Sequence, residues 1–121
     1  MKTTKDVADY LVSKLRQGDF ESPVKELYHQ NIVSVEPKGS PLELCEGLEA
    51  VLEKEKGFND MVEEFHGLEV SDPVVADNFF SVSLKMDITM KGAPRGSMEE
   101  VALYQVNDGK IIREEFFFTP E

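Results

Sequence analysis

The apolar positions change their spacing along the chain, from a helical period to strict alternation. Near the N-terminus they recur at helical spacing, at Val7, Ala8, Leu11, Val12 and Leu15. Between residues 79 and 91 every second residue is apolar. The first pattern predicts a helix with one buried stripe, and the second predicts a strand with one buried face. Helices followed by antiparallel strands are typical of an α+β fold.

Capping and turn residues predict where the helices begin and end. Thr3 or Thr4 can cap the first helix, and Gly18-Asp19 ends it. Ser22-Pro23 supplies an N-cap and a first helical residue for a short second helix. A third helix is predicted over roughly residues 48–64. Between the second and third helices we expect a strand over residues 31–37 and a loop over residues 38–46.

The remainder of the chain is predicted to be β. We expect strands over residues 65–71, 74–76 and 79–91, followed by a long hairpin from residue 96 onward. The predicted order is α-α-β-α-β-β-β-β. Three N-terminal helices would pack in the concave face of a curved, mainly antiparallel sheet, giving a cone-shaped α+β barrel. Residues 1–121 would form a single domain.

The faces of the final hairpin depend on its turn. A three-residue Asn107-Asp108-Gly109 loop with a bulge at Gly109 would pair Tyr104 with Ile112. The inner face would then hold Met98, Glu100, Ala102, Tyr104, Val106, Ile112, Glu114, Phe116 and Phe118. The outer face would hold Glu99, Val101, Leu103, Gln105, Ile111, Arg113, Glu115 and Phe117. A two-residue loop would flip one strand relative to the other, and this alternative stays open.

The outer face is too apolar to be explained by solvent alone. Val101, Leu103, Ile111 and Phe117 lie on it in the predicted register. We therefore expect a homodimer formed through this face of the sheet.

Strand parity brings several polar side chains toward the interior. Glu100 and Glu114 lie on neighbouring strands of the inner face, and His66 shares a face with apolar neighbours. Glu36 lies on the face of its strand opposite Val33 and Val35. Two buried carboxylates that lie close together cannot both stay charged at low cost, which is the arrangement of a general acid/base site. We therefore predict Glu36, Glu100, Glu114 and His66 as catalytic residues.

A pocket of mostly apolar character would surround these groups. Its predicted lining residues are Tyr104, Met86, Met98, Phe116 and Phe118. Soft methionine side chains suit a lipophilic small-molecule ligand. Carboxylates and His66 can also ligate divalent ions, but no ligand-spacing motif such as HExxH is present, so neither a metal nor another cofactor is expected.

Composition narrows the classes of partner. The formal net charge of −11 disfavours nucleic acid and anionic membranes, since both require a basic surface. Cys45 is the only cysteine, so an internal disulfide is impossible and a reducing compartment fits. The N-terminal residues lack an apolar signal region, and we expect a cytoplasmic protein.

The chain resembles the cone-shaped α+β superfamily of ketosteroid isomerase, nuclear transport factor 2 and the SnoaL-like polyketide cyclases, and is most similar to uncharacterised SnoaL-like proteins. The resemblance covers nearly the whole chain. It is carried by residues 15–19 (LRQGD), 32–37 (IVSVEP), 47–51 (GLEAV) and 108–111 (DGKI), and by the final hairpin. This fold hosts isomerases, cyclases, dehydratases, hydrolases and binding modules, so it implies a fold more specifically than a function.

The resemblance implies a role for Glu36. Glu36-Pro37 looks like the acid–proline pair of ketosteroid isomerase, in which the acid shuttles the proton. The rest of that site does not match, because Leu11 stands where the oxyanion tyrosine would be and Ala102 where the protonated aspartate would be. Steroid isomerisation is therefore disfavoured.

Two functions remain open at this point. One is an isomerase, cyclase or dehydratase with Glu36 as general base, acting on a small, mostly apolar carbonyl compound. Glu100, Glu114, Tyr104 and His66 would then polarise the substrate or relay protons. The alternative is a non-catalytic small-molecule-binding or dimerising domain.

Overall fold

Three helices form the N-terminal half of the protein in a computed structural model that describes residues 2–119. They are α1 (Thr4–Arg16), α2 (Glu21–Leu27) and α3 (Leu48–Met61). α1 begins with a capping box: the Asp6 backbone N–H donates to Thr3 Oγ1 at 3.1 Å, and the Thr3 N–H donates to Asp6 Oδ2 at 3.0 Å. The predicted apolar stripe of α1 is fully buried. None of the helices is long and apolar enough to cross a membrane over this range.

The other two helices differ slightly from their predicted bounds. Ser22 does not cap α2; its backbone N–H instead donates to Asp19 Oδ1 at 3.0 Å, and the helix begins at Glu21. α3 ends at Met61 rather than near residue 64 and runs through Gly57 without interruption.

Seven strands form one sheet. They are β1 (Tyr28–Val35), β2 (Leu44–Glu46), β3 (Val62–Val70), β4 (Val74–Ala76), β5 (Phe79–Met90), β6 (Gly96–Asn107) and β7 (Lys110–Phe117). The order is β2-β1-β7-β6-β5-β3, with β4 paired to β5, and β1–β7 is the parallel pair among antiparallel ones. β2 lies in the segment that was predicted to be a loop. The sheet is curved and not closed over residues 2–119, so the α+β cone is confirmed as an open one.

The turn of the β6–β7 hairpin corrects the predicted register. Asp108 and Gly109 form a two-residue loop with φ of 55° and 75°. Val106 consequently pairs with Ile111, but Gln105 pairs with Arg113, which leaves Ile112 as an extra residue in the ladder. The predicted bulge therefore exists, but it lies at Ile112 instead of Gly109.

Because the bulge is displaced, Ile111 takes the inward position that was predicted for Ile112. Glu100 and Glu114 still face inward. Ile111 is 0% exposed in the core, which corrects its predicted place on the outer face. Beyond the bulge Tyr104 pairs with Glu114, so Glu114 remains on the inner face and is 2% exposed. Val101 and Phe117, paired on the outer face, are 45% and 47% exposed. A homodimer through this face stays a prediction, without Ile111 as a contact.

The bulge position can be tested with neighbouring isoleucines. Ile111→Ala should lower the free energy of unfolding by about 2–5 kcal/mol, because it opens a cavity in the core. Ile112→Ala is the matched control and should cost under about 1.5 kcal/mol, since this side chain is only partly buried. Urea denaturation measures both values. A greater loss for Ile112→Ala would place the bulge elsewhere.

Candidate functional site

A cavity of about 180 Å³ lies between the helices and the inner face of the sheet. Side chains of all three helices and of β1, β5, β6 and β7 line it, together with residues just after β1 and β7. Its walls are mostly apolar and aromatic. They include five residues predicted from the sequence, namely Tyr104, Met86, Met98, Phe116 and Phe118.

Four carboxyl groups face this apolar space. Glu36 follows β1, Glu55 lies on α3, Glu100 lies on β6 and Glu114 lies on β7. Lys54 is the only basic residue among the described residues that line the cavity. Charge in a partly apolar space is costly unless it is paired, so the placement of this ammonium group decides which acids can stay ionised.

Glu114 is the most deeply buried of the four acids. The Tyr28 hydroxyl donates to its Oε1, and Ser34 Oγ donates to its Oε2 at 2.7 Å. Ser34 is brought into reach because the parallel β1–β7 pair aligns Ser34 with Glu114. Both carboxyl oxygens are therefore satisfied by neighbours on β1, although the group is 2% exposed.

Lys54 connects this buried group to Glu36. Its Nζ donates to Ser34 Oγ at 2.7 Å and lies 3.0 Å from Glu36 Oε2. The same ammonium group lies 5.1 Å from the centre of the Phe116 ring, within cation–π range. The side chains of Lys54 and Glu36 are only 14% and 22% exposed, so water screens this salt bridge less than an open surface pair.

The remaining two acids, Glu100 and Glu55, have raised pKa values. Burial, together with the nearby Glu36 and Glu114 carboxylates, raises the pKa of Glu100 to about 7. Burial also raises the pKa of Glu55 to about 8, with Glu114 as the next cause. Lys54 opposes both increases but does not cancel them. Near pH 7 these two carboxyls can therefore hold or release a proton.

Burial also raises the pKa of three other groups of the site, namely Glu114, Tyr28 and Tyr104. It raises the pKa of Glu114, while the hydrogen bonds from Tyr28 and Ser34 oppose the increase. Burial and the Glu114 carboxylate raise the pKa of Tyr28 and of Tyr104 well above the ordinary value. Both tyrosines are consequently neutral phenols and hydrogen-bond donors at physiological pH.

The structure brings three of the four predicted catalytic residues together. Glu36, Glu100 and Glu114 line one cavity, but His66 does not. Its Nε2 lies 2.8 Å from Thr89 Oγ1. Thr89 lies on the face of β5 opposite its buried residues. The β3–β5 ladder shifts register between Phe65 and Gly67, and this irregularity corrects the inward orientation predicted for His66 from a regular strand.

Four polar residues of the site were not predicted. They are Tyr28, Ser34, Lys54 and Glu55. Glu55 had a sequence signal, because an acid interrupts the apolar face of α3. Ser34 lies two residues after the buried Ile32 and therefore on the same face of β1, which also indicates an inward position. Lys54 has no such signal, because only its long side chain brings its charged end to the cavity.

No cluster of metal-ligating side chains occurs in the described part of the chain. The cavity does offer proton donors and acceptors of different strength within a mostly apolar space. Such an arrangement can polarise a carbonyl group and move a proton beside it.

Solved structures with the same fold are numerous. A Mesorhizobium loti protein, provisionally described as a SnoaL-like polyketide cyclase, is 31% identical with a TM-score of 0.91, and the alignment covers 97% of this chain and 100% of that one. A ketosteroid isomerase-like protein of Catenulispora acidiphila in complex with trimethylamine is 14% identical, with a TM-score of 0.75 and coverages of 97% and 88%. A Xanthomonas campestris protein of unknown function with a cystatin-like fold is 16% identical, with a TM-score of 0.81 and coverages of 96% and 90%.

Sequence comparison identifies the family directly. None of the curated proteins compared with this sequence matches it. The SnoaL-like domain matches residues 2–118, which is nearly the whole chain. The chain therefore belongs to the SnoaL-like domain family.

Proposed function

We propose that the protein is a proton-transfer enzyme of the isomerase, cyclase or dehydratase type, acting on a small, mostly apolar carbonyl compound. The observation that carries this proposal is the mixture of acids around one apolar cavity. Glu36 is salt-bridged to Lys54, whereas burial raises the pKa of Glu100 to about 7. A carboxylate that takes a proton and an acid that returns one are the two partners that such a reaction needs.

Glu36 is the general base in this proposal. It would remove a proton from the carbon next to the substrate carbonyl, which forms an enolate. Lys54 lies beside it and would stabilise the charge that develops on the enolate oxygen. Glu100 would donate its own proton at a second position of the substrate, because it is partly protonated near pH 7. Glu36 would then release the proton it took to solvent, and Glu100 would take one up, which restores the site.

Glu114 and Tyr104 support these groups. Glu114 has both oxygens occupied by Tyr28 and Ser34, so it positions Lys54 through Ser34. The Tyr104 ring stacks on Phe80, with ring centres 4.8 Å apart, and its neutral phenol lines the cavity as a donor. The provisional description of the Mesorhizobium loti protein as a polyketide cyclase is consistent with carbonyl chemistry in a cavity of this shape.

A non-catalytic small-molecule-binding domain is the second candidate. The observation that favours it is the salt bridge itself, because Lys54 occupies one oxygen of Glu36 at 3.0 Å. Glu36 would have to release this oxygen from Lys54 before the oxygen could accept a proton from a substrate. The same apolar walls would then bind a ligand and release it without chemical change.

The role of Glu36 can be tested on a panel of small cyclic β,γ-unsaturated ketones in D₂O. Deuterium incorporation and conjugation, followed by NMR and ultraviolet absorbance, report proton transfer without knowledge of the natural substrate. Glu36→Gln should lower kcat/KM by about 10²–10⁴, the usual contribution of a positioned acid or base. Glu99→Gln, an exposed neighbour of Glu100 on β6, should leave the rate unchanged.

Two results would count against this assignment. Equal rates for wild type and Glu36→Gln would remove Glu36 as the base. Binding of panel members with no deuterium incorporation by the wild type would favour the non-catalytic alternative.

The pH dependence of stability tests the acids directly. Glu55 and Glu100 have folded-state pKa values of about 8 and about 7, above the ordinary glutamate value of 4.5. The folded state therefore binds protons that the unfolded state releases, so the contribution of these two acids to stability is fully present below pH 4.5 and is lost as the pH rises toward 8. Each pKa unit corresponds to about 1.4 kcal/mol, so a loss on the order of a few kcal/mol is expected.

Urea unfolding at pH 5 and at pH 9 measures this loss. The double variant Glu55→Gln/Glu100→Gln should lose much less stability over this range than the wild type, because neutral amides do not titrate. Glu99→Gln should follow the wild type. Parallel curves for the wild type and the double variant would show that the two acids do not titrate as described.

A further inference from the structure

The inner face of the sheet carries exposed apolar side chains at one end of the cavity. Phe65 pairs with Ile88 across the β3–β5 ladder, so both side chains lie on one face, and Ile88 is buried in the core. Phe65 itself is 41% exposed, and so is Met98, which lines the cavity. Exposed apolar side chains that continue a cavity wall mark the mouth of the cavity.

These side chains form one continuous apolar surface. The centres of the Phe65 and Phe20 rings lie 6.0 Å apart, and Phe20 lines the cavity. Phe65 and Met98 lie on β3 and β6, two strands apart in the sheet and ~10 Å from each other across it. The strand between them, β5, contributes the apolar Met86 and Ile88 to the same face. We call Phe20, Phe65 and Met98 the mouth surface.

The cavity is polar at its buried end and apolar at its mouth. Glu114 is almost fully buried, and Ser34 joins it to the Lys54 ammonium group. At the mouth the lining includes Met98 and other apolar side chains. A carbonyl compound is bound best when its oxygen lies near the polar groups and its hydrocarbon part extends toward the mouth.

We propose that the mouth surface binds an apolar tail of the ligand while the carbonyl group lies inside the cavity near Lys54. The cavity of about 180 Å³ holds the ring or short chain that carries the carbonyl group, and a longer substituent continues over Phe65 and Met98. The ligand class is a carbonyl compound with an alkyl or aryl tail. The inference rests on the function proposed above for the carbonyl group and adds the part of the substrate that lies outside the cavity.

The size and position of the mouth surface favour a ligand tail over a second protein. Three partly exposed side chains offer far less area than the ~800 Å² that each partner of a stable protein interface buries. A tail that leaves the cavity reaches this surface without further cost of association, because Phe20 and Met98 line the cavity and also belong to the mouth surface.

A series of 4-n-alkylcyclohexanones, from methyl to hexyl, tests the mouth surface by isothermal titration calorimetry. Full burial of a methylene group strengthens binding about fourfold. The dissociation constant should therefore fall about twofold for each methylene added up to hexyl, because one side of the tail stays in water. Phe65→Ala should weaken binding of the hexyl ketone about tenfold, through the loss of ~50–60 Å² of apolar contact, and leave the methyl ketone unchanged.

Two further variants separate the mouth surface from general effects of the substitution. Phe65→Leu keeps an apolar side chain and should retain most of the affinity for the hexyl ketone. Phe79→Ala is the matched control, since Phe79 is 40% exposed and lies on the other face of β5 from the buried Phe80. It should bind the methyl and hexyl ketones as the wild type does.

Several results would overturn the proposal. One is equal affinity of the wild type for the methyl and hexyl ketones, and another is failure of the whole series to bind. Equal losses for both ketones in Phe65→Ala would also overturn it, because Phe65 would then act on the cavity itself. So would equal losses in Phe65→Ala and Phe79→Ala, since the effect would not be specific to the mouth.

Light scattering and cosedimentation with phosphatidylcholine vesicles test other occupants of the mouth surface. Self-association or vesicle binding that is lost in Phe65→Ala and kept in Phe79→Ala would assign the surface to a second copy of the chain or to lipid, and would overturn the tail site. The binding series does not depend on turnover. A chain-length effect without deuterium incorporation would therefore support the tail site and reject only the proposed reaction.

Discussion

The cavity depends on the contacts of the Lys54 ammonium group with Glu36 and Ser34. The ammonium group donates to Ser34, which donates to Glu114, and it pairs with Glu36 on its other side. One residue of α3 is thereby joined to β1 and β7. A buried carboxylate without such compensation would lose its charge or destabilise the fold, and breaking a buried pair commonly costs several kcal/mol. The polar network therefore fixes α3 against the sheet as well as shaping the site.

That network requires an irregular strand. In a regular strand Ile111 and Glu114 would lie on opposite faces, because side chains alternate. Both are buried on the inner side, and the extra residue at Ile112 makes this possible. The bulge thus lets β7 supply an apolar residue to the core near the turn and an acid to the cavity farther along. Bulges frequently re-aim side chains in this way beside functional sites.

The regular parts of this fold could be predicted from the sequence, and the irregular parts could not. The alternation of β5 identified its buried face, from Phe80 to Ile88, because a strand of that length has one consistent period. The position of the hairpin bulge depends on how β7 pairs with both β6 and β1, and no local pattern reports a parallel neighbour. His66 was predicted on the wrong face because the β3–β5 ladder shifts register beside it, and the local sequence does not show this irregularity.

The candidate site shows a similar division. Glu100 and Glu114 follow from parity, because the two errors in the hairpin, at the turn and at the bulge, cancel beyond Ile112. Lys54 could not be found in this way. It lies in the middle of α3, and only the tertiary structure shows that its four-carbon chain reaches Ser34 and Glu36. Sequence patterns locate backbone faces more reliably than the ends of long side chains.

The energetic cost of the site distinguishes its two candidate functions. A cavity that only holds a neutral apolar molecule gains nothing from four inward carboxyls and one ammonium, since apolar walls alone would bind it at lower cost. Proton transfer, in contrast, needs groups whose proton affinities differ and lie near the working pH. Burial moves Glu100 and Glu55 into that range, while Lys54 holds Glu36 in a salt bridge. The same desolvation that makes these acids a burden for the fold gives them the proton affinities that acid–base chemistry uses, and this favours the enzyme over the passive binding domain.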